Sequence, residues 1–327
     1  MLPHSPQPDA TTMACMEVRG GNTRTEEQLA AQGLDIWVLS IPYQSDPTNA
    51  SDQGGDVHFI TSCATGRITR LLLADVSGHG PEVAATARKL KRLMSAHSNH
   101  IEQSALVSSV NDNFMSAAAD PGAGLAIFAT ALVATFFAPT GEIRLSTAGH
   151  PPPILYDSVR GEWRPFLQAD DQAITEPHDL PLGVLDGVTY RDSAHMLADD
   201  DLVVMYTDAI TEAASPTGAM LGIGGLVKLL DQTDPAKPNE LITGLMAAVK
   251  SHRQVESPFD DDLSIVVLKR NALGKRSSLG MGLSATWRLS TNALRSLTSR
   301  DITLTLPEIS PRAIGGAFFD RFNRPGG

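Results

Sequence analysis

Cysteine is almost missing from this chain. Its 327 residues hold two, Cys15 and Cys63, too few for a disulfide framework and without the paired spacing of a zinc site, which fits a reducing compartment. Long apolar runs are missing as well: no stretch reaches the roughly 20 residues that span a bilayer. The opening MLPHSPQPDA lacks the basic-then-apolar layout of a secretion signal. Cationic residues are in short supply, with 26 Lys and Arg against 37 Asp and Glu and a formal charge of −11. Recognition of nucleic-acid phosphates needs the opposite balance, and anionic lipid is repelled too. The expectation is a cytoplasmic protein that binds neither nucleic acid nor membrane. Its apolar content of 42% is enough for a substantial core.

What is present divides the chain in three. Residues 1–33 are polar and rich in Thr, Gln and Gly, and read as a loosely ordered N-terminal segment. From DIWVLSIP (35–42) to DDLSIVV (261–267), strand-like runs recur, among them VHFITSC, ITRLLLA, LAIFATALVATFF, EIRLSTA and DLVVMYT. Two helices fit between ITRLLLA and LAIFATALVATFF. The first starts at Gly80 with Pro81 where proline is tolerated, and Val83, Ala87, Leu90 and Met94 share one face. The second, about 102–117, carries Leu106, Val110 and Phe114 at the same spacing. A further pair is expected over 221–231 and 238–251. Consecutive strands predict antiparallel pairing and paired helices predict outer layers, so residues 34–270 form an α+β domain. Residues 271–327 carry eight Lys or Arg against three Asp or Glu, a balance of +5 that leaves −16 for the rest. That segment reads as a basic, Ser- and Arg-rich tail suited to docking.

Four acidic residues share one property: each sits at a strand boundary. Asp75 ends ITRLLLA and Asp208 follows LVVMYT, while Asp56 opens VHFITSC and Asp261 lies in the DDD run ahead of LSIVVLK. Antiparallel pairing of strands that end in Asp with strands that begin with Asp collects the carboxylates at one edge. Clustered carboxylates either bind protons or hold cations. Oxygen ligands without nearby Cys or His favour hard ions such as Mg²⁺ or Mn²⁺. A pair of such ions suits phosphoester hydrolysis by an activated water. SGHG (77–80) lacks the Lys-Ser/Thr of a phosphate-cradling loop, LGIGGL (221–226) lacks dinucleotide glycine spacing, and no G-x-S-x-G elbow occurs.

The motifs GGD (54–56), ADVSGHG (74–80), AGHPPP (148–153), PLGV (181–184), YTDAITEA (206–213) and DDLSIVV (261–267) stand in one order along the chain. In this the sequence resembles the SpoIIE/RsbU-type serine/threonine phosphatases of the metal-dependent PP2C-like (PPM) superfamily, over about residues 35–269. The resemblance implies an αββα sandwich, two central antiparallel sheets flanked by helix pairs, with two Mn²⁺ or Mg²⁺ ions at one end. Carried over by position, it makes Asp56 and Asp75 ligands that bridge or flank the two metals, adds the backbone carbonyl of Val76, and gives Asp208 and Asp261 to one metal. Asp260 and Asp262 stay open as alternatives to Asp261. It also implies a phosphorylated protein substrate, above all a STAS-type anti-sigma-factor antagonist, and leaves either terminal segment as a place for a regulator to dock.

Departures and histidines complete the reading. After GGD the family has an aromatic pair and a further Asp, whereas this chain has Val57, His58 and Phe59, and Ala209 stands where Gly is common after Asp208. His79 follows the acidic turn closely enough to act as general acid toward the leaving seryl oxygen or to orient the water; capping of the next helix is the alternative. His150, among prolines, reads as part of a rigid turn. Two competing functions stay open: a phosphoprotein-binding module whose metal site has decayed, and a phosphatase of small molecules.

Overall fold

The computed structural model describes residues 11–13, 17–43, 53–63, 66–78, 80–98, 100, 102–118, 127–166, 178–254 and 259–271. The order is β1 (Thr11–Thr12), β2 (Val18–Thr23), β3 (Thr25–Ala31), β4 (Leu34–Ile41), β5 (Gln53–Ser62), β6 (Ile68–Val76), α1 (Pro81–His97), α2 (Gln103–Ala118) and β7 (Ala129–Phe137). It continues with β8 (Glu142–Ala148), β9 (Ile154–Asp157), β10 (Glu162–Pro165), β11 (Ser193–Met196), β12 (Leu202–Tyr206), α3 (Gly222–Leu230), α4 (Pro238–Arg253) and β13 (Leu263–Arg270).

Successive strand residues point to opposite faces, and here both faces are buried. In β6, Leu71 and Leu73 join one core cluster while Leu72, Ala74 and Val76 join another. The first cluster lies between two sheets, ordered β1-β3-β4-β13-β12-β9-β10 and β11-β8-β7-β6-β5-β2. The second seals the outer face of the β5-β6-β7 sheet with Val83, Ala87, Leu90 and Met94 of α1 and Leu106, Val110 and Phe114 of α2. A third packs Leu226 and Leu230 of α3 and Leu241, Leu245 and Val249 of α4 on the outer face of the β12-β13 sheet. The layers are therefore helix, sheet, sheet, helix, an α+β sandwich. Among the described residues, the strand ladders are antiparallel apart from β1 beside β3. Pro81 opens α1 at the position where its missing N–H costs nothing.

Two readings of the sequence need correction. The segment 1–33 is not a loose lead-in throughout, because β2 pairs with β5 and β3 pairs with β4 in register from Thr25↔Ser40 to Ala31↔Leu34. Its polar composition reflects where those strands lie: β3 buries Leu29 and Ala31 and leaves Glu26 exposed. The strand expected to open at Asp56 begins at Gln53, which puts Asp56 inside β5. The tail beyond residue 271 lies outside the described residues. Among the described residues, no helix is long and apolar enough to cross a membrane.

Candidate metal centre

The ladder between β5 and β6 sets Val57 opposite Ala74. One step further along the same pairing, Asp56 and Asp75 stand side by side. Asp56 shares its strand face with Ile60, and Asp75 shares its own with Leu71 and Leu73, all inter-sheet core residues, so the two carboxylates enter the layer between the sheets. The facing sheet supplies the rest. Tyr206 pairs with Ile265, and just past this pair Thr207 and Ser264 exchange bonds: Thr207 N donates to Ser264 O at 3.0 Å, and Ser264 N donates to Thr207 Oγ1 at 2.9 Å. Thr207 Oγ1 in turn donates to Asp56 Oδ2 at 2.9 Å. That relay fixes Asp56 from across the cleft. Asp208 comes next in the chain, and its carbonyl accepts the Glu212 N–H at 2.8 Å, which closes a turn that brings Glu212 back to the site.

The DDD run separates into three roles. Asp260 is taken up by Arg253 Nη2 at 2.7 Å. Asp262, 4% exposed, accepts Tyr43 N at 2.6 Å and Gly55 N at 2.5 Å, and so ties both sheets together. Asp261 is exposed on the rim, where its Oδ1 accepts the Asp262 N–H at 2.8 Å. The paired glycines of GGD are explained by the same contact. A Cβ on Gly54 would stand 2.3 Å from Asp262 Oδ1, and one on Gly55 would stand 2.8 Å from the Val76 carbonyl oxygen. Any side chain there would push the clamp and that carbonyl away from Asp56.

Electrostatics follow from this crowding. Burial pushes the Asp56 carboxyl well up, Asp75 and Asp262 push it further, and the hydroxyls of Ser264 and Thr207 offset part of the shift. Asp75 is raised to about 8 by burial, then by Asp208, Asp261, Asp262 and Glu212. Asp208 is raised by burial and by Glu212. These groups therefore act on one another, and the arrangement favours either bound protons or a cation. Asp56 Oδ1 is buried with no hydrogen-bond partner among the described residues, an oxygen of the kind a hard cation takes. As the side chains stand, no three His, Cys, Asp or Glu among the described residues close on one ion position. The all-oxygen donor set fits hard divalent ions in its chemistry.

His79 lies outside the described residues. His150 is buried, pairs through Nδ1 with Thr130 Oγ1 at 3.0 Å, and is pushed down to about 4 by burial. Thr130 is the ladder partner of Asp75, so a neutral His150 braces the neighbour of that carboxylate. Sequence reading missed Thr207, the Asp262 clamp and Glu212; the last sat in view, four residues after Asp208. It also missed Asn22, whose Nδ2 donates to Gly54 O at 2.9 Å and to Ala84 O at 3.0 Å, binding β5 to α1.

His58 is fully buried, and neither ring nitrogen has a hydrogen-bond partner among the described residues. Burial and then Lys91 push it down to about 4. An orphaned buried polar group costs about 1–3 kcal/mol, so His58→Leu, close in volume, is expected to stabilise the fold by a similar amount. Urea unfolding at pH 7 checks this, and a lower midpoint would show that His58 has a partner in solution.

The helix-flanked double sheet is the fold of solved PP2C phosphatase domains. The family model for stage II sporulation protein E (SpoIIE) matches residues 65–271, and the chain belongs to that family. It is 22% identical over 241 residues to the phosphoserine phosphatase RsbU of Bacillus subtilis (strain 168), a match that covers 73% of this chain and 64% of RsbU. The chain thus spans less than two thirds of that relative. Among solved structures, the RsbU and RsbW domains of a Mycobacterium tuberculosis protein superpose with a TM-score of 0.57 at 19% identity, covering 84% of this chain and 71% of that one. The PP2C phosphatase domain of SpoIIE from Bacillus subtilis, with a fragment of its regulatory domain, gives 0.54 at 16%, covering 79% and 64%.

Proposed function

We propose that the chain is a metal-dependent phosphatase of phosphoserine or phosphothreonine in a regulatory protein. One observation carries the reading. Carboxylates from four separate stretches, Asp56, Asp75, Asp208 and Asp261, lie near enough at one end of the inter-sheet cleft to act on one another, and each of the first three is raised by burial and by acidic neighbours. In this reading Asp56, Asp75, Asp208, Asp261 and the Val76 carbonyl hold two Mn²⁺ or Mg²⁺ ions. Bound there, such ions supply activation of water and neutralisation of phosphate oxygens. The chain's own residues do the positioning: Thr207 orients Asp56, Asp262 holds the two sheets at working separation, and His79 serves as general acid to the leaving seryl oxygen or orients the attacking water. The substrate that fits this family is a phosphorylated STAS-type anti-sigma-factor antagonist in the cytoplasm, with a regulator docking on a terminal segment.

The test is phosphate release from p-nitrophenyl phosphate and from a serine-phosphorylated STAS-domain protein with Mn²⁺, beside Asp208→Asn. Turnover by the wild type and its loss in the variant are expected. Equal rates in both proteins would remove the role given to Asp208, and binding of the phosphoprotein without turnover would favour a decayed site.

A further inference from the structure

Three large apolar side chains stand in water at the acidic end of the sheets: Phe128 at 41% exposure, Val184 at 51% and Leu185 at 45%. The strand pairing puts them there. Asp75 pairs with Thr130 and Val76 with Ala129, so Phe128 is the next residue beyond the carboxylate end of β7. Its carbonyl accepts Ser77 N at 2.9 Å and its N–H donates to Ser77 Oγ at 3.2 Å, two residues from Asp75. Ala129 also exchanges backbone bonds of 2.9 and 2.8 Å with Leu182, which brings the 183–185 turn alongside Phe128.

That turn is held from beneath. Asn111 of α2 is fully buried; its Oδ1 accepts Gly183 N at 2.9 Å and its Nδ2 donates to Leu185 O at 2.9 Å. Gly183, at φ 86°, packs so tightly that a Cβ would lie 3.0 Å from the Phe114 ring and 3.1 Å from the Ile127 carbonyl oxygen. A buried amide is thus spent on presenting Val184 and Leu185 to solvent in a fixed pose. Exposed apolar surface on a rigid support marks a surface that is covered in a complex.

We infer that Phe128, Val184 and Leu185 form the docking patch for the folded phosphoprotein substrate, gripping apolar surface beside its phosphoserine. The inference rests on the phosphatase reading. Continuity with the cleft argues for this occupant: a protein that delivers a seryl phosphate to Asp75 must lay the surrounding surface on this rim. A small aryl phosphate needs the cleft alone.

The test uses the full chain with Mn²⁺ and compares wild type with the double variant Val184→Ser/Leu185→Ser. The probes are p-nitrophenyl phosphate and a serine-phosphorylated STAS-domain protein, with sedimentation velocity on both proteins. Loss of two buried apolar contacts is expected to raise KM for the phosphoprotein by about tenfold or more, with kcat and p-nitrophenyl phosphate hydrolysis unchanged. Unchanged phosphoprotein kinetics, or equal losses on both substrates, would overturn the inference while leaving the phosphatase reading in place. A shift from dimer to monomer without a change in KM would assign the patch to a second copy of the chain. Failure of the wild type to hydrolyse either substrate would instead sink the phosphatase reading, and the docking patch with it.

Discussion

Asp75→Asn is expected to lower phosphatase kcat by about a thousandfold or more, which corresponds to several kcal/mol of lost transition-state stabilisation. Asp75 is the hub of the cluster, since Asp56 responds to it and it responds to Asp208, Asp261, Asp262 and Glu212. Asn keeps the shape and the backbone pairing with Thr130 but removes the charge. The variant therefore should fold as well as the wild type. Without metal at pH 8 it should be the more stable of the two, because it lacks a charge that burial and like neighbours oppose. Turnover of p-nitrophenyl phosphate with Mn²⁺, alongside thermal unfolding of the stripped proteins, checks both parts. Activity within a few-fold of wild type would show that Asp75 is not part of the working centre.

The second large effect is the linked response of stability to pH and divalent ions. A carboxyl raised to about 8 in the fold holds its proton more tightly there than in the unfolded chain. Its stabilising contribution is fully present below the ordinary carboxylate range and disappears as pH rises through about 8. Metal-stripped protein should accordingly gain stability as pH falls from 8 to 6.5, by up to about 1 kcal/mol per pH unit from Asp75. Below 6.5 the buried histidines oppose the trend: His58 and His150 are pushed down to about 4, so the stability they permit is lost as pH falls toward that value. Ions that bind only the folded chain add about 2.7 kcal/mol at a hundredfold excess over Kd. Protons compete with them for the same oxygens, so Mn²⁺ should raise Tm more at pH 8 than at pH 6.5. Calorimetry with and without Mn²⁺ measures this, and a Tm indifferent to the ion at both pH values would contradict it.

Much of this architecture could be read from the residues because local rules and tertiary packing agree. The 3.6-residue spacing of Val83, Ala87, Leu90 and Met94 and the position of Pro81 specify α1, and those four side chains are buried together with Ala84. Strand runs were legible for the same reason. The strands β2 and β3 were not, because the polar side chains they carry outnumber the buried ones, and their place is set by pairing with distant β5 and β4. In the sequence, the edges of apolar runs singled out Asp56, Asp75, Asp208 and Asp261 as candidates, although Asp56 lies inside β5. They did not distinguish members of the DDD run, whose roles depend on their partners: Arg253, in the preceding helix, for Asp260, and the remote Tyr43 and Gly55 for Asp262. The Thr207 relay was hidden likewise, since Asp56 lies 151 residues away along the chain.

Ion stoichiometry tests the central claim most directly. Equilibrium dialysis of the stripped full chain against Mn²⁺, followed by elemental analysis, should give two ions per chain, and fewer in Asp75→Asn. A wild-type chain that retains no Mn²⁺ would contradict the account.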